Sequence, residues 1–254
     1  MTPWVRSKLR FVLPLLALLL AWQALSWFVH RPIVPGVLPI GRAFLEEIVG
    51  PRGTLLTHLG VSAYRVITGI VLAAALGTPL GLAIGTSAAL HRMSAPLIYL
   101  TYPIPKIVFL PLFLLFFGLG DASKVAMIAV ILFFQVLIVM RDAAGAVRQE
   151  MVQSVRSLGA SRLDLFRYVY FPASLPALFS SLRLSAGTAI AVLFFVESFG
   201  TQKGLGIYIL TETWARAEYA RMYAGVLTMG LLGVAIYFVL DLVERRMCAW
   251  VRPA

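Results

Sequence analysis

The chain has 254 residues, of which 60% belong to the hydrophobic set and only 13% are charged, and its mean hydropathy is +0.89. Soluble domains sit near about 45–50% apolar and about 25% charged, so this composition excludes a disordered chain, a coiled coil and an ordinary cytosolic enzyme. It points to one membrane-embedded unit over residues 1–254. Lys and Arg number 22 against 11 Asp and Glu, a net charge of +11. In a membrane protein such a surplus reports cytoplasmic loops and anionic lipid. No basic cluster sits beside a soluble fold, so nucleic acid is not the expected partner. The single cysteine, Cys248, excludes an internal disulfide and a Cys-based metal site.

A helix that crosses the hydrocarbon core needs about 20 apolar residues, and six runs qualify: 11–29, 66–88, 95–117, 122–140, 177–199 and 222–240. The expected fold is all-α and polytopic. Phe11–Val29 follows Arg6, Lys8 and Arg10. It is longer than the apolar part of a signal peptide and lacks a small-x-small cleavage site, which favours an uncleaved anchor. The second run carries Gly69, Ala73, Gly77, Gly81 and Gly85, five small residues spaced by four. That spacing lays a smooth stripe on one helix face, where another helix can approach closely. It speaks for packing rather than chemistry.

The third run is interrupted by Pro103, Pro105 and Pro111 and holds Lys106 in a stretch otherwise uncharged from Met93 to Gly120. A charge within a span is costly and is by default a functional candidate. One reading places Lys106 on a solute path, attracting an anion. The other bonds it to carbonyls that Pro103 and Pro105 leave without their helical donors. Glu197, near the end of the fifth run, either lines the outer mouth, pairs with Lys203 or marks the boundary. Arg183, near the other end of that run, is expected to anchor the loop before it.

With the N-terminus inside, 12 basic residues fall on inner segments, 8 on outer segments and 2 within spans. The sign of the bias places both termini in the cytoplasm. The longest inner segment, 141–176, reads RDAAGAVRQEMVQSVRSLGASRLDLFRYVYFPASLP. Val147, Met151, Val155 and Leu158 recur at helical spacing. Gly159 suits the left-handed residue that ends a helix, and Ser161-x-x-Asp164 is a helix-start signature. The second piece is expected to present Leu163, Phe166 and Tyr170 on one face, between Arg162 and Arg167, and to end at Pro172 and Pro176. Such a capped helix either lies on lipid or docks in a groove of a soluble partner.

Gly159, nine residues, then Val169-x-Phe171-Pro172 is similar to the EAA motif (E-A-A-x3-G-x9-I-x-L-P) of the membrane subunits of bacterial ABC importers. SLGASRLDLFRYVYFPASLPALFSSLRLS, YPIPKIVFLPLFLLFFGLG and GLGIYI resemble the sulfonate, taurine and nitrate branch of that family, and the likeness covers roughly residues 55–250. At the positions of the EAA triplet this chain has Gln153, Ser154 and Val155, and Glu150 stands one turn earlier.

The resemblance implies type I ABC importer permease architecture in a bacterial inner membrane. It makes 141–176 the coupling loop, with Ser157, Leu158, Gly159, Ala160, Ser161, Arg162, Leu163, Asp164, Phe166 and Pro172 as the segment that meets an ATP-binding cassette subunit. The implied partners are that ATPase, which binds ATP and Mg, an extracytoplasmic solute-binding protein, and a second permease copy, all within membrane lipid. The implied solute is a sulfonate, taurine or nitrate-like anion, with a pyrimidine vitamin precursor or riboflavin as the alternative. Lys106, Pro105 and Glu197 are the candidates for its path. No G-x-x-x-x-G-K-[ST] occurs, so the chain has no phosphate cradle and no cofactor of its own is expected. His30, His58 and His91 lack metal-ligand spacing, and Gly85-Thr86-Ser87 has no His or Asp in helical register. An intramembrane enzyme is therefore not expected.

Overall fold

The computed structural model describes residues 3–50 and 53–251, with side chains from 12 to 50 and from 53 to 250. Among these residues every regular element is helical. The long helices are α1 (Pro3–Val29), α3 (Leu55–Thr86), α6 (Asp121–Gly145), α9 (Phe171–Glu197) and α11 (Tyr219–Met247). Shorter ones are α2 (Val37–Val49), α4 (Ala88–Thr101), α5 (Leu110–Phe117), α7 (Gln149–Ser157), α8 (Arg162–Leu165) and α10 (Leu205–Ile207). Five helices are long and apolar enough to cross a membrane, and α4 with the 106–117 segment makes a sixth if that bent pair is one span. The two halves meet at 79°, around Pro103 and Pro105. Neither proline can donate a backbone hydrogen bond, which fixes the place of the break.

The helices overrun the hydropathy runs. The one predicted from 66 begins at Leu55, and the one predicted from 177 begins at Phe171, because polar helical turns continue beyond the apolar stretch. Arg65 and Lys124, counted above as outer-segment charges, lie within α3 and α6 and are buried. The side chains of Arg6, Lys8 and Arg10, and residues Arg52 and Arg252, are outside the described set.

By internal contacts the chain divides into two units, Met1–Gly60 with Gln202–Met229, and Val61–Thr201 with Gly230–Ala254. In the first, the turn after α1 is held by side chains of α1 itself. Trp22 Nε1 donates to the Pro35 carbonyl at 3.0 Å, and Gln23 Oε1 accepts from the Val37 amide at 2.9 Å. Buried Glu47 of α2 pairs with Arg221 at 2.7 Å. His58 Nδ1 lies 2.9 Å from the carbonyl and 3.0 Å from the amide nitrogen of Gly204, whose φ of +137° suits glycine.

In the second unit the small-residue stripe of α3 lies against α6. A Cβ added at Gly69 would sit 2.6 Å from Ile128, at Gly77 3.0 Å from Val136, at Gly81 2.6 Å from the Leu137 carbonyl oxygen, and at Gly85 2.2 Å from the Arg141 carbonyl oxygen. Ala73 is fully buried in the same row. Lipid tails are as apolar as leucine, so helices in a bilayer associate through close van der Waals contact rather than a hydrophobic gain, and small residues permit it. α6 also packs along α9, where Ser185 Oγ donates to Gln135 Oε1 at 2.7 Å. At α11, Gly233 meets Ile190 of α9, an added Cβ lying 3.1 Å away. Arg183 pairs there with Asp241 and Glu244. The expected loop-side anchor is thus a tie between α9 and α11, because the acidic end of α11 supplies its counter-charges.

The stripe makes a graded prediction. Gly85→Ala drives a methyl group into the α6 backbone, and forced overpacking of this kind costs about 1–3 kcal/mol. Gly187→Ala in α9 meets nothing within 4 Å. Thermal melts of the detergent-solubilised protein should show a clear drop for Gly85→Ala and none for Gly187→Ala; equal melting temperatures would refute the tight α3–α6 contact.

Candidate functional site: the 146–172 loop and the charges of the span

The loop between α6 and α9 folds around a core of its own. Val152 of α7, Leu165 of α8 and Val169 are buried together, and Val147, Val155, Ala160 and Tyr170 pack against them. α7 stops where the Gly159 amide bonds the Arg156 carbonyl at 3.0 Å. Gly159 then takes φ +86°, a conformation that costs other residues strain. The turn ends at a complete capping box. Ser161 Oγ accepts from the Asp164 amide at 3.2 Å, and Asp164 Oδ2 accepts from the Ser161 amide at 2.9 Å and from Ser161 Oγ–H at 2.6 Å. One α-helical turn follows, then a wide turn over Phe166–Tyr170 in which the Phe171 amide bonds the Phe166 carbonyl, five residues back. The expected stops at Pro172 and Pro176 do not end this piece: the helical run continues through both, Pro172 at the start of α9 and Pro176 within it, with the wide turn beside Pro172 taking up the change in hydrogen-bond spacing.

The face expected to be presented was Leu163, Phe166 and Tyr170. The structure divides these three. Leu163 is 74% exposed, Phe166 is half-buried and Tyr170 packs on the loop core. The inward positions are Leu165 and Val169, because α7 offers Val152 on that side. The helical row Val147, Met151, Val155, Leu158 divides in the same way. Val147 and Val155 pack inward, while Met151 is exposed and Leu158 is 86% exposed. Leu158 and Leu163 therefore stand on either side of Gly159, uncovered, on a turn rigid enough to hold them. Ser157, Arg162, Gln153 and Ser154 are exposed around them. Glu150, the carboxylate nearest the EAA positions, lies 3.5 Å from Arg148 at the exposed start of α7.

The charges within the spans have different surroundings. Lys106 Nζ donates to the carbonyls of Thr101, Tyr102 and Ile104 at 3.0, 3.0 and 3.3 Å. It also lies 4.6 Å from the Phe134 ring centroid and 5.4 Å from that of Tyr102. All three ammonium protons are spent on the end of α4, next to Pro105. No ion pair among the described residues includes Lys106, and its charge rests on carbonyl dipoles and ring faces. A charge at the centre of a span costs about 2.5–3.5 kcal/mol on insertion scales, and these contacts offset part of that.

Glu197 is fully buried. Its carboxylate takes Ser62 Oγ–H at 2.9 and 2.8 Å and Arg65 Nη1 at 2.8 Å. Arg65 also reaches Asp121 at 2.6 Å and Thr201 Oγ1 at 3.1 Å. Beside them Lys124 Nζ bonds the carbonyls of Leu119 and Gly200 at 2.5 and 3.0 Å. Of the alternatives open for Glu197, full burial speaks against a lining position; it is a counter-ion of Arg65, and the network ties together α3, α6 and α9 at the ends opposite the loop. Ser62 and Arg65 are not singled out in the sequence, because their partner Glu197 lies 132 positions beyond Arg65.

The profile of the family described as "Binding-protein-dependent transport system inner membrane component" matches residues 77–248. The chain is 29% identical to the taurine transport system permease protein TauC of Escherichia coli, over 93% of this chain and 87% of that protein. It is 28% identical to a Bacillus subtilis protein named for aliphatic sulfonates transport, over 90% and 83% respectively. Among solved structures, an inward-facing MetNI methionine ABC transporter chain superposes with a TM-score of 0.66 at 18% identity, covering 76% of this chain and 95% of that one. The match establishes a shared fold.

The loop geometry sets its own test. Valine at the left-handed position of Gly159 carries about 1–3 kcal/mol of strain, and Ser161→Ala removes a cap at a cost of about 1 kcal/mol. Trypsin cleavage at exposed Arg156 and Arg162 should accelerate in both purified variants, more in Gly159→Val. Wild-type cleavage rates in both would show that neither residue holds the turn.

Proposed function

Because the chain belongs to the binding-protein-dependent transport system inner membrane component family, and so is the membrane-embedded transport subunit of an ABC importer rather than an enzyme, we propose that it passes a small sulfonate- or taurine-like anion from an extracytoplasmic binding protein to the cytoplasm. ATP hydrolysis belongs to a separate ATP-binding cassette subunit seated on the 146–172 loop. Two copies form the membrane portion, and both termini are cytoplasmic.

The observation that carries the coupling role is the pair Leu158 and Leu163. Their exposure is 86% and 74% on a loop that already has a closed core, so the loop does not need them inside. An interfacial helix would turn its apolar face as one stripe toward lipid. Here the two leucines project from the two sides of a glycine turn, the shape of a knob for a cleft. The anionic solute is supported by the names of the relatives and by Lys106, a span cation in no ion pair among the described residues. With its three protons committed to carbonyls, Lys106 acts on a solute through its field.

Leu163→Ser and Leu158→Ser should leave expression and melting unchanged, since both side chains are exposed. They should lower recovery of the ATPase subunit from detergent extracts by at least ten-fold together, because burying a leucine side chain is worth about 1.5–3 kcal/mol. Uptake of taurine should fall in parallel, and Phe166→Ala should do less. Wild-type ATPase recovery and uptake in the double variant would remove the coupling assignment.

Orientation is tested separately with single cysteines in a Cys248→Ser background. An impermeant maleimide applied to intact cells should label Gln202→Cys and spare Ser157→Cys, both exposed positions. The reverse pattern would invert the topology.

A further inference from the structure

Arginines flank both exposed leucines of the 146–172 loop. Arg156 stands two residues before Leu158, Arg162 directly before Leu163, and Arg167 one helical turn beyond it, and all three are exposed. No ion pair among the described residues includes any of them, and Arg167 lies over the Tyr168 ring at 5.6 Å from its centroid. The carboxylates of the loop are spent. Asp164 Oδ2 accepts from the Ser161 hydroxyl and amide at 2.6 and 2.9 Å, and those bonds hold its carboxyl below the usual range. Glu150 answers Arg148 at the far end of α7. At the first position of the EAA triplet, Gln153 is neutral and exposed, about one turn before Arg156. Arg162 is the informative cation. It opens the helical run Arg162–Glu197, at the end where the macrodipole disfavours positive charge. A neutral or acidic residue would serve the helix start better, and topology asks only for positive charge somewhere in the loop, not at this position.

We propose that the cleft of the ATP-binding subunit that receives this loop is acidic at its rim, and that Arg156, Arg162 and Arg167 pair there with carboxylates while Leu158 and Leu163 fill its apolar floor. This rests on the coupling role proposed above and adds the partner's charge to it. Apolar anchors inside a polar rim are the ordinary anatomy of a reversible protein contact, and opposite charges steer the encounter and reject wrong partners. Arginine suits the task, because its planar guanidinium binds carboxylates through two parallel hydrogen bonds. The neutral Gln153 agrees with such a cleft, where a carboxylate at 153 would meet like charge. The anionic inner leaflet is the other source of negative charge on this side of the membrane. It fits less well. A helix lying on lipid gathers its leucines into one stripe, whereas here each leucine projects from its own side of the Gly159 turn with an arginine beside it.

The test uses the purified permease and its ATPase subunit in neutral detergent free of anionic lipid. Recovery of the ATPase by the wild-type chain should fall about five-fold or more between about 50 mM and about 500 mM salt, because screening weakens exposed pairs. At low salt Arg162→Lys should keep most of the recovery, Arg162→Gln should lower it and Arg162→Glu should lower it further. Arg156→Gln, Arg162→Gln and Arg167→Gln together should lower it by about ten-fold and remove most of the salt dependence. Gln153→Glu, which restores the acid of the EAA triplet, should weaken recovery too. All these positions are exposed, so melting temperatures should not change, and external labelling of Gln202→Cys checks that topology is kept. Recovery that ignores salt and the charge at 162, or that rises in Gln153→Glu, would overturn the acidic cleft. Salt dependence that appears only after phosphatidylglycerol vesicles are added would assign the arginines to lipid and overturn it as well. Loss of the ATPase in the Leu158→Ser, Leu163→Ser double variant, with wild-type recovery in the arginine variants, keeps the coupling role and removes the acidic cleft. Wild-type recovery in both sets removes the coupling role itself, and the acidic cleft with it.

Discussion

Hydrocarbon offers no hydrogen bonds, and every backbone group of this chain at membrane depth must find its partner in protein. The long helices meet that demand along their lengths. The departures from regular helix are the informative places, and each carries its own remedy. At the α4–α5 break Lys106 binds three carbonyls at once, among them that of Thr101, which Pro105 has no amide to serve. At the ends of α3, α6 and α9, Lys124 does the same for Leu119 and Gly200. In both cases an ammonium group acts as a backbone cap.

The Arg65–Glu197 pair shows how charge is kept inside such a molecule. A buried ion pair does not stabilise by itself, because taking two charges out of water costs more than their attraction returns unless the remaining donors and acceptors are satisfied. Here they are, by Ser62, Asp121 and Thr201. The consequence is geometric. The ends of three helices are fixed to one another by directional bonds, while the opposite end of the α3–α6 pair is fixed by Gly81 and Gly85 against the α6 backbone. α3 and α6 are thereby held at both ends.

The parts of the fold legible in the sequence were those governed by local chemistry. Glycine spacing named the face of α3 that meets α6; Gly159 and Ser161-x-x-Asp164 named the turn and its cap; the prolines named the break. What escaped reading depended on partners distant in sequence. Which residues of the second piece face inward is decided by Val152 of another helix: of Leu163, Phe166 and Tyr170, only Leu163 stays exposed. The wide turn over Phe166–Tyr170 departs from the 3.6-residue period on which face assignments rest. Glu197 found Arg65 across 132 positions, a pairing invisible to any window. α2 and the 205–216 segment went unread, being too short and too interrupted by Gly, Pro and polar residues to register as spans.

The way the loop joins the membrane helices bears on how force enters them. From Arg162 through the wide turn to Glu197 the chain is one helical run of 36 residues, about 54 Å long at 1.5 Å per residue. No flexible linker separates the turn bearing Leu163 from α9, and the run continues through Pro172 and Pro176. A displacement of the loop is therefore a displacement of α9. At its far end α9 carries Glu197, bonded to Arg65 of α3, and along its length it carries Ser185 against Gln135 of α6. On the proposed coupling role, an ATPase seated on the loop would have to move this helix together with the network it holds, or else bend it. The wide turn at Phe166–Tyr170, where the hydrogen-bond spacing is already relaxed and the side chains Tyr168 and Arg167 are exposed, and Pro176 within α9, which has no amide to donate, are the places on that run where bending disturbs the fewest bonds.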